Sequence, residues 1–220
     1  ACGAKEEDTS SEPSGEASVE PSGEDTNAPE SEIDALRAGD LVITEIHKNP
    51  CVIGEDTDGD GNLDCTLDDE MGEWFEIYNN TAESQNLKGL VVSDDNNDEE
   101  IFTVDEDVMV EAGAYAVFGN NADSATNGGY TADYAFTGGE SGYKLSNGDD
   151  GIVLSNSNET IDSVMYDNGD TFPDDKGYSL ILTPEILDAA QNDDGANWCR
   201  SPNQFGDGDF GTPGEENTCE

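Results

Sequence analysis

Positive charge is nearly absent from this 220-residue chain: seven Lys and Arg stand against 53 Asp and Glu, a formal net charge of -46. Such a surface repels phosphate backbones and anionic lipid headgroups at every approach, which argues against nucleic-acid binding and polybasic docking on membranes. Long apolar runs are missing too. No stretch nears the roughly 18 residues of a helical membrane span, so contact with a membrane is expected only through a lipid anchor. Histidine is reduced to one, His47. It lies in "IHKNP", where the chain leaves a first strand, and no Ser/His/Asp, Cys/His or HExxH arrangement surrounds it. It reads as a surface side chain, and no catalytic residue is assigned. Carboxylate pairs of the glycosidase kind occur everywhere in so acidic a chain and identify nothing.

Cysteine is sparse and odd in number: Cys2, Cys51, Cys65, Cys199 and Cys219. Cys2 stands apart. The other four bracket two short loops, and pairing Cys51 with Cys65 and Cys199 with Cys219 stabilises each by roughly 3 kcal/mol in the chain-entropy picture. Disulfides imply an oxidising compartment. The alternative, a zinc site of four thiolates, lacks C-x-x-C spacing.

Residues 3–37 are rich in Ser, Glu, Pro and Gly and contain the near-repeat "EPSGEASVEPSGE". Such a segment buries too little apolar surface to offset its chain entropy, so residues 1–38 are expected to form a disordered acidic tether. From 39 to 220 the texture changes to short apolar or alternating runs between turn residues, at 40–46, 73–79, 87–94, 101–104, 114–119, 143–147, 151–156, 160–167 and 178–182. About nine strands without a long helical period predict an all-β sandwich. "SNGDDG" reads as a hairpin turn between "YKL" and "IVL", and "TPEILDAAQ" as a helical turn capped by Thr183.

The stretch "GEDTDGDGNLDC" follows the D-x-[DN]-x-[DN]-G pattern of a calcium loop. Calcium takes about six to eight hard oxygens. Alternate residues in a tight loop aim Asp56, Asp58 and Asp60 inward, Gly61 permits the turn, Asn62 offers its carbonyl, and Asp64 binds directly or through water. The usual bidentate Glu is absent, because Leu67 holds its place, so Asp68, Asp69 or Glu70 has to complete the shell. The expected cofactor is Ca2+ at an extracellular-type affinity of roughly 10⁻⁴ to 10⁻³ M. The alternative is a solvated acidic insert.

The segments "GDLVITEIHKNP", "GEWFEIYNNT", "NLKGLVVSD", "AGAYAVFG", "LSNGDDGIVLSN" and "IDSVMYD", in this order, resemble the lamin tail domain, an immunoglobulin-like β-sandwich. The later "FPDDKGYSLIL", "GANWCRSP" and "GDGDFGTPGEEN" resemble its secreted bacterial branch. The insert 51–71, which carries the Asp-rich loop, departs from the shortest family members. Within "EWFEIYN", Trp74 and Ile77 should feed the core while Glu76 and Asn79 hydrogen-bond adjacent loop backbone; Trp198 reads as a packed aromatic. "ACG" at Cys2 is similar to the end of a bacterial lipobox, which implies lipidation of Cys2; the alternative is a free thiol. The resemblance implies a non-enzymatic binding or adhesion module, extracellular or on the bacterial outer surface, whose partner is an unidentified protein or polysaccharide, with self-association possible. Its rivals are a surface or matrix assembly subunit and an accessory domain of a calcium-dependent hydrolase.

Overall fold

A computed structural model of the chain describes residues 32–52, 54, 64–95, 97, 99–136 and 142–219. Cys2, expected to carry the lipid, the segment up to residue 31 expected as a tether, and Asp56, Asp58, Asp60 and Asn62 lie outside the described residues.

The β-branched and aromatic runs become strands whose burial follows their place in two sheets. β1 (Leu41–His47) is buried at every residue, as befits a central strand covered on both faces. Beside it lie β2 (Trp74–Asn79), β7 (Tyr115–Gly119) and β8 (Tyr134–Ala135) on one flank, and β11 (Leu180–Leu182) and β12 (Trp198–Arg200) on the other. The sheet order is β12-β11-β1-β2-β7-β8, antiparallel except for the β7–β8 pair. The second sheet runs β10 (Thr160–Asp167), β9 (Asp149–Ser155), β4 (Val91–Ser93) and β5 (Ile101–Thr103). Its strands alternate, with Val92, Phe102, Ile152, Leu154 and Val164 inward and their neighbours outward, the period of two that one solvated face produces. A short pair, β3 (Gln85–Asn86) and β6 (Met109–Val110), completes the β structure among the described residues. The layers close on one core, where Phe75 stacks on Phe118 (5.4 Å) and Phe102 on Phe136 (5.5 Å), with Tyr143 edge-on to Phe136.

The immunoglobulin-like sandwich expected from the sequence is present, with four differences. First, the described residues hold twelve strands rather than nine; β3, β6 and β8 are two residues long, too short for periodicity to register. Second, 143–147 is not a strand. Tyr143 and Leu145 are buried, but the Leu145 N–H donates to Glu73 Oε2 at 3.2 Å and the Ser146 N–H to Asp150 Oδ2 at 2.6 Å. Those side-chain acceptors replace a strand partner, so "SNGDDG" turns a loop into β9 and closes no hairpin. Third, "TPEILDAAQ" forms turns: Ile186 N–H bonds the Thr183 carbonyl at 2.8 Å, and the chain does not continue as a helix. Fourth, a 3-10 turn at Glu32–Ala35 delivers Ile33 and Leu36 into the main core, 2% and 4% exposed. The folded body therefore includes residues that composition assigned to the tether.

Both expected disulfides are formed, Cys51 to Cys65 and Cys199 to Cys219. The second ties β12 to the C-terminal segment 203–219, which crosses the outer face of the six-stranded sheet as a strap. Gly211 permits that approach, since a β-carbon there would lie 2.8 Å from Glu45 Oε1 and 3.0 Å from Trp74 Cζ2. A chain beginning at Glu32 should melt as the full chain does. One beginning at Gly39 loses two buried aliphatic side chains, roughly 3 to 5 kcal/mol, and calorimetry should show its melting temperature lower by about 10 °C.

Candidate functional site

The outer face of β1 and β2 is where polar residues gather. A bulge between Ile43 and Glu45 shifts the register so that Glu45 sits opposite Glu76 and His47 opposite Trp74. Both glutamates are fully buried. Glu45 accepts from the Ser179 hydroxyl, from Thr212 N–H at 2.9 Å and from the Thr212 hydroxyl at 2.8 Å. Glu76 accepts from the Thr44 hydroxyl at 2.8 Å and from Gly214 N–H at 2.7 Å. Burial pushes Glu45 up to about 7. Burial, with the neighbouring Glu45 charge added, holds Glu76 well above the carboxylate range. The expectation for Glu76 and Asn79 holds: Asn79 donates to the carbonyls of Glu83 and Val110, both at 2.9 Å.

Asp209, from the strap, is 1% exposed. Its Oδ2 accepts from His47 Nε2 at 3.0 Å and from Cys51 N–H at 2.8 Å, and its Oδ1 accepts from Val52 N–H at 2.6 Å. His47 is therefore no surface residue. It is 0% exposed, its ring 5.5 Å from Trp74 and 5.6 Å from Phe205. Its cover comes from a segment about 160 residues downstream, which "IHKNP" alone cannot reveal. Val52 has φ of +43°, a left-handed conformation that costs a β-branched residue on the order of 1 to 3 kcal/mol. Asp209 on its N–H and the Thr66 hydroxyl on its carbonyl (3.0 Å) hold it there.

Other carboxylates repeat the pattern. Asp162 accepts from Ile43 N–H at 2.6 Å and from Asn192 Nδ2 at 2.8 Å, and burial pushes it up to about 7. Burial pushes Glu73 up to about 8 and Asp150 up to about 6. Asp150 also belongs to the one group of three potential metal ligands among the described residues, with Asp94 and Asp95; their carboxylate oxygens lie within 4.8 Å of one another. Sequence reading missed this group because "SDDN" and "NGDDG" are more than 50 positions apart and meet only across the β4–β9 end of the sheet.

Of the residues offered for calcium, Asp64, Asp68, Asp69 and Glu70 are described. The Asp64 carbonyl accepts Gly54 N–H at 2.7 Å, so the ends of the Asp-rich loop are held together by backbone as well as by the disulfide. Asp68 precedes a one-turn helix, Asp69–Gly72, and Asp69 Oδ2 accepts from Asn147 Nδ2 at 2.6 Å. Trp198 is buried against Phe172, its indole N–H donating to the Asn192 carbonyl at 2.7 Å, which makes it a core residue.

No described helix is long and apolar enough to cross a membrane, and the two disulfides fit an oxidising environment. Chemically, the buried acids work as hydrogen-bond acceptors for the fold. An open groove of about 540 Å³ is bordered by Asp162, Asp188 and Asp193, and the Glu45 and Glu76 pair is not among its lining residues.

Two layers of mainly antiparallel strands around one core, with loops held by buried carboxylates, define an immunoglobulin-like module. The chain belongs to the Lamin Tail Domain family, which matches residues 35–168. No curated protein matches it. The strap and Asp209 lie beyond the matched segment.

Raised acids bind protons more tightly in the folded chain than in the unfolded one, where these carboxylates titrate near 4. Their contribution to stability is complete below about pH 4 and is lost as pH rises through 6 to 8. In about 0.5 M NaCl, which screens the general repulsion, the melting temperature should fall on the order of 10 °C between pH 5 and 8.5. Glu73→Gln should make the upper part of this slope shallower. A melting temperature that is flat or rises with pH contradicts the assignment.

Proposed function

We propose that this chain is a non-catalytic extracellular binding module, held to the cell surface by a lipid on Cys2 and an acidic tether, and stiffened by calcium in the Asp-rich loop. The observation that carries the non-catalytic part is the employment of the buried carboxylates. Glu45, Glu76, Asp162 and Asp209 each accept hydrogen bonds from backbone N–H groups. A hydrolase of the glycosidase kind needs two carboxylates facing a substrate cleft; the Glu45 and Glu76 pair lies beneath the strap instead, and Asp162, which borders the open groove, is held by Ile43 N–H and Asn192 Nδ2. The calcium part rests on the spacing of Asp56, Asp58, Asp60, Asn62 and Asp64, supported by the Cys51–Cys65 bridge, which lowers the entropy cost of gathering charges that repel one another. Its partner is a protein or polysaccharide of the surface on which it sits. An assembly subunit is the second reading, favoured by the uncharged sheet face described below.

Labelled protein should bind saturably to the surface fraction of the producing cell, and Cys2→Ser should move the native protein from the detergent phase to water; absence of both overturns the surface-module reading. Calcium in the millimolar range should raise the melting temperature by linkage, and Asp58→Ala with Asp60→Ala should abolish that rise while the sandwich stays folded. Equal stabilisation of the double variant and the parent places the ion elsewhere, with Asp94, Asp95 and Asp150 the next positions to replace.

A further inference from the structure

The strap covers the outer face of one sheet. The outer face of the other is distinctive for what it lacks. Register and burial turn outward one cross-strand row of Ile101, Ser93, Val153 and Ser163 and a second of Thr103, Val91 and Ser155. None of these side chains is charged, in a chain that is 27% charged overall. Met165 lies across Gly151 beside the first row, and it and Ile101 are 39% and 45% exposed. Charge returns at the two ends of the strands: Asp149 pairs with Asp167 and Asp95 approaches Gly151 at one, and Glu159 before Thr160 and Asp105 beyond Thr103 stand exposed at the other.

We infer that this face of β4, β5, β9 and β10 is a self-association surface that receives the same face of a second copy of the chain. Charge matching selects that occupant. A cationic partner gains most on the acidic surfaces and nothing here. For a second copy at net charge -46, approach by an acidic surface places carboxylates against carboxylates, whereas approach by this one brings hydroxyl and aliphatic groups together without burying a charge. A face-to-face pair about a two-fold axis is self-complementary by construction. The same reasoning bounds its strength. Four strands about 4.8 Å apart and some five residues at about 3.4 Å give roughly 300 Å² per copy, and twice that is about half of what a stable interface buries. Association is therefore weak, and because the remaining surfaces repel over a Debye length, it strengthens as salt is added. An interface held by ion pairs responds in the opposite sense.

The inference deepens the assembly reading above, and its test separates the two. Sedimentation equilibrium of the full chain at about 0.5 mM in EDTA, which removes calcium from the question, compares 0.05 M with 1 M NaCl. The weight-average mass should stay monomeric at low salt and rise about 1.5-fold at high salt. Val153→Glu should remove the rise, and so should Ser163→Glu, a change at a half-buried polar position that the sheet tolerates. Circular dichroism confirms that each variant is folded. A parent that stays monomeric in both salts, or a folded variant that associates as the parent does, overturns the inference. If the monomeric parent still binds saturably to the surface fraction, the self-association falls and the binding-module reading stands.

Discussion

Asp209 accepts hydrogen bonds from the backbone of Cys51 and Val52 and from His47, and by doing so joins the two disulfide-closed loops to each other and to the central strand of the larger sheet. The other buried acids act likewise. Glu45 and Glu76 fasten the strap at Thr212 and Gly214, Asp162 fastens β10 to β1 through Ile43, and Glu73 fastens the segment after Gly142 through Leu145. With seven cationic side chains in the whole chain, ion pairing is not available to bury acids on this scale. Lys48 is the buried exception: it meets Asp174 at 2.8 Å, bonds the carbonyl of Asn147 and lies over the Tyr166 ring. Backbone N–H groups neutralise a carboxylate's need for donors without a countercharge. The cost is desolvation, which appears as raised protonation of Glu45, Glu76, Asp162 and Glu73.

That arrangement explains how an acidic chain remains compact. Exposed carboxylates are solvated and screened, whereas buried ones are fixed to loops that would otherwise have little apolar surface of their own. It also bears on function, because a carboxylate that accepts backbone N–H groups has fewer lone pairs free for an external ligand. What is left for recognition is surface: loops, grooves and the uncharged outer face of the smaller sheet.

Much of the sandwich was legible because the longer strands carry their own signal. "LVITEIH" and "TIDSVMYD" are β-branched or alternating, and the four later cysteines bracket loops short enough to pair with their neighbours. The losses share one cause, which is that the deciding partner lies far away in sequence. His47 is buried by Asp209 and Phe205, Ile33 and Leu36 by strands that follow them, and Leu145 turns to Glu73 instead of to a neighbouring strand. In a chain crowded with aspartates, no local pattern distinguishes Asp162 or Asp209, inside the fold, from those in water. The Asp94, Asp95 and Asp150 group was hidden for the same reason, whereas the Asp-rich insert was visible because all its candidate ligands are contiguous.

The claim that carboxylate-to-backbone bonds hold the periphery to the sandwich is tested most directly by amide hydrogen exchange, read by NMR, in Asp209→Ala. Loss of the acceptor leaves the buried Cys51 N–H and the imidazole without it, at a cost of roughly 1 to 3 kcal/mol each, and frees the half-buried Val52 N–H. The account predicts that exchange at Cys51 and Val52 accelerates at least tenfold and that strap amides at Thr212 and Gly214 also lose protection, while Phe75 and Ile77 in β2 stay protected. Unchanged protection at Cys51 and Val52 would contradict it.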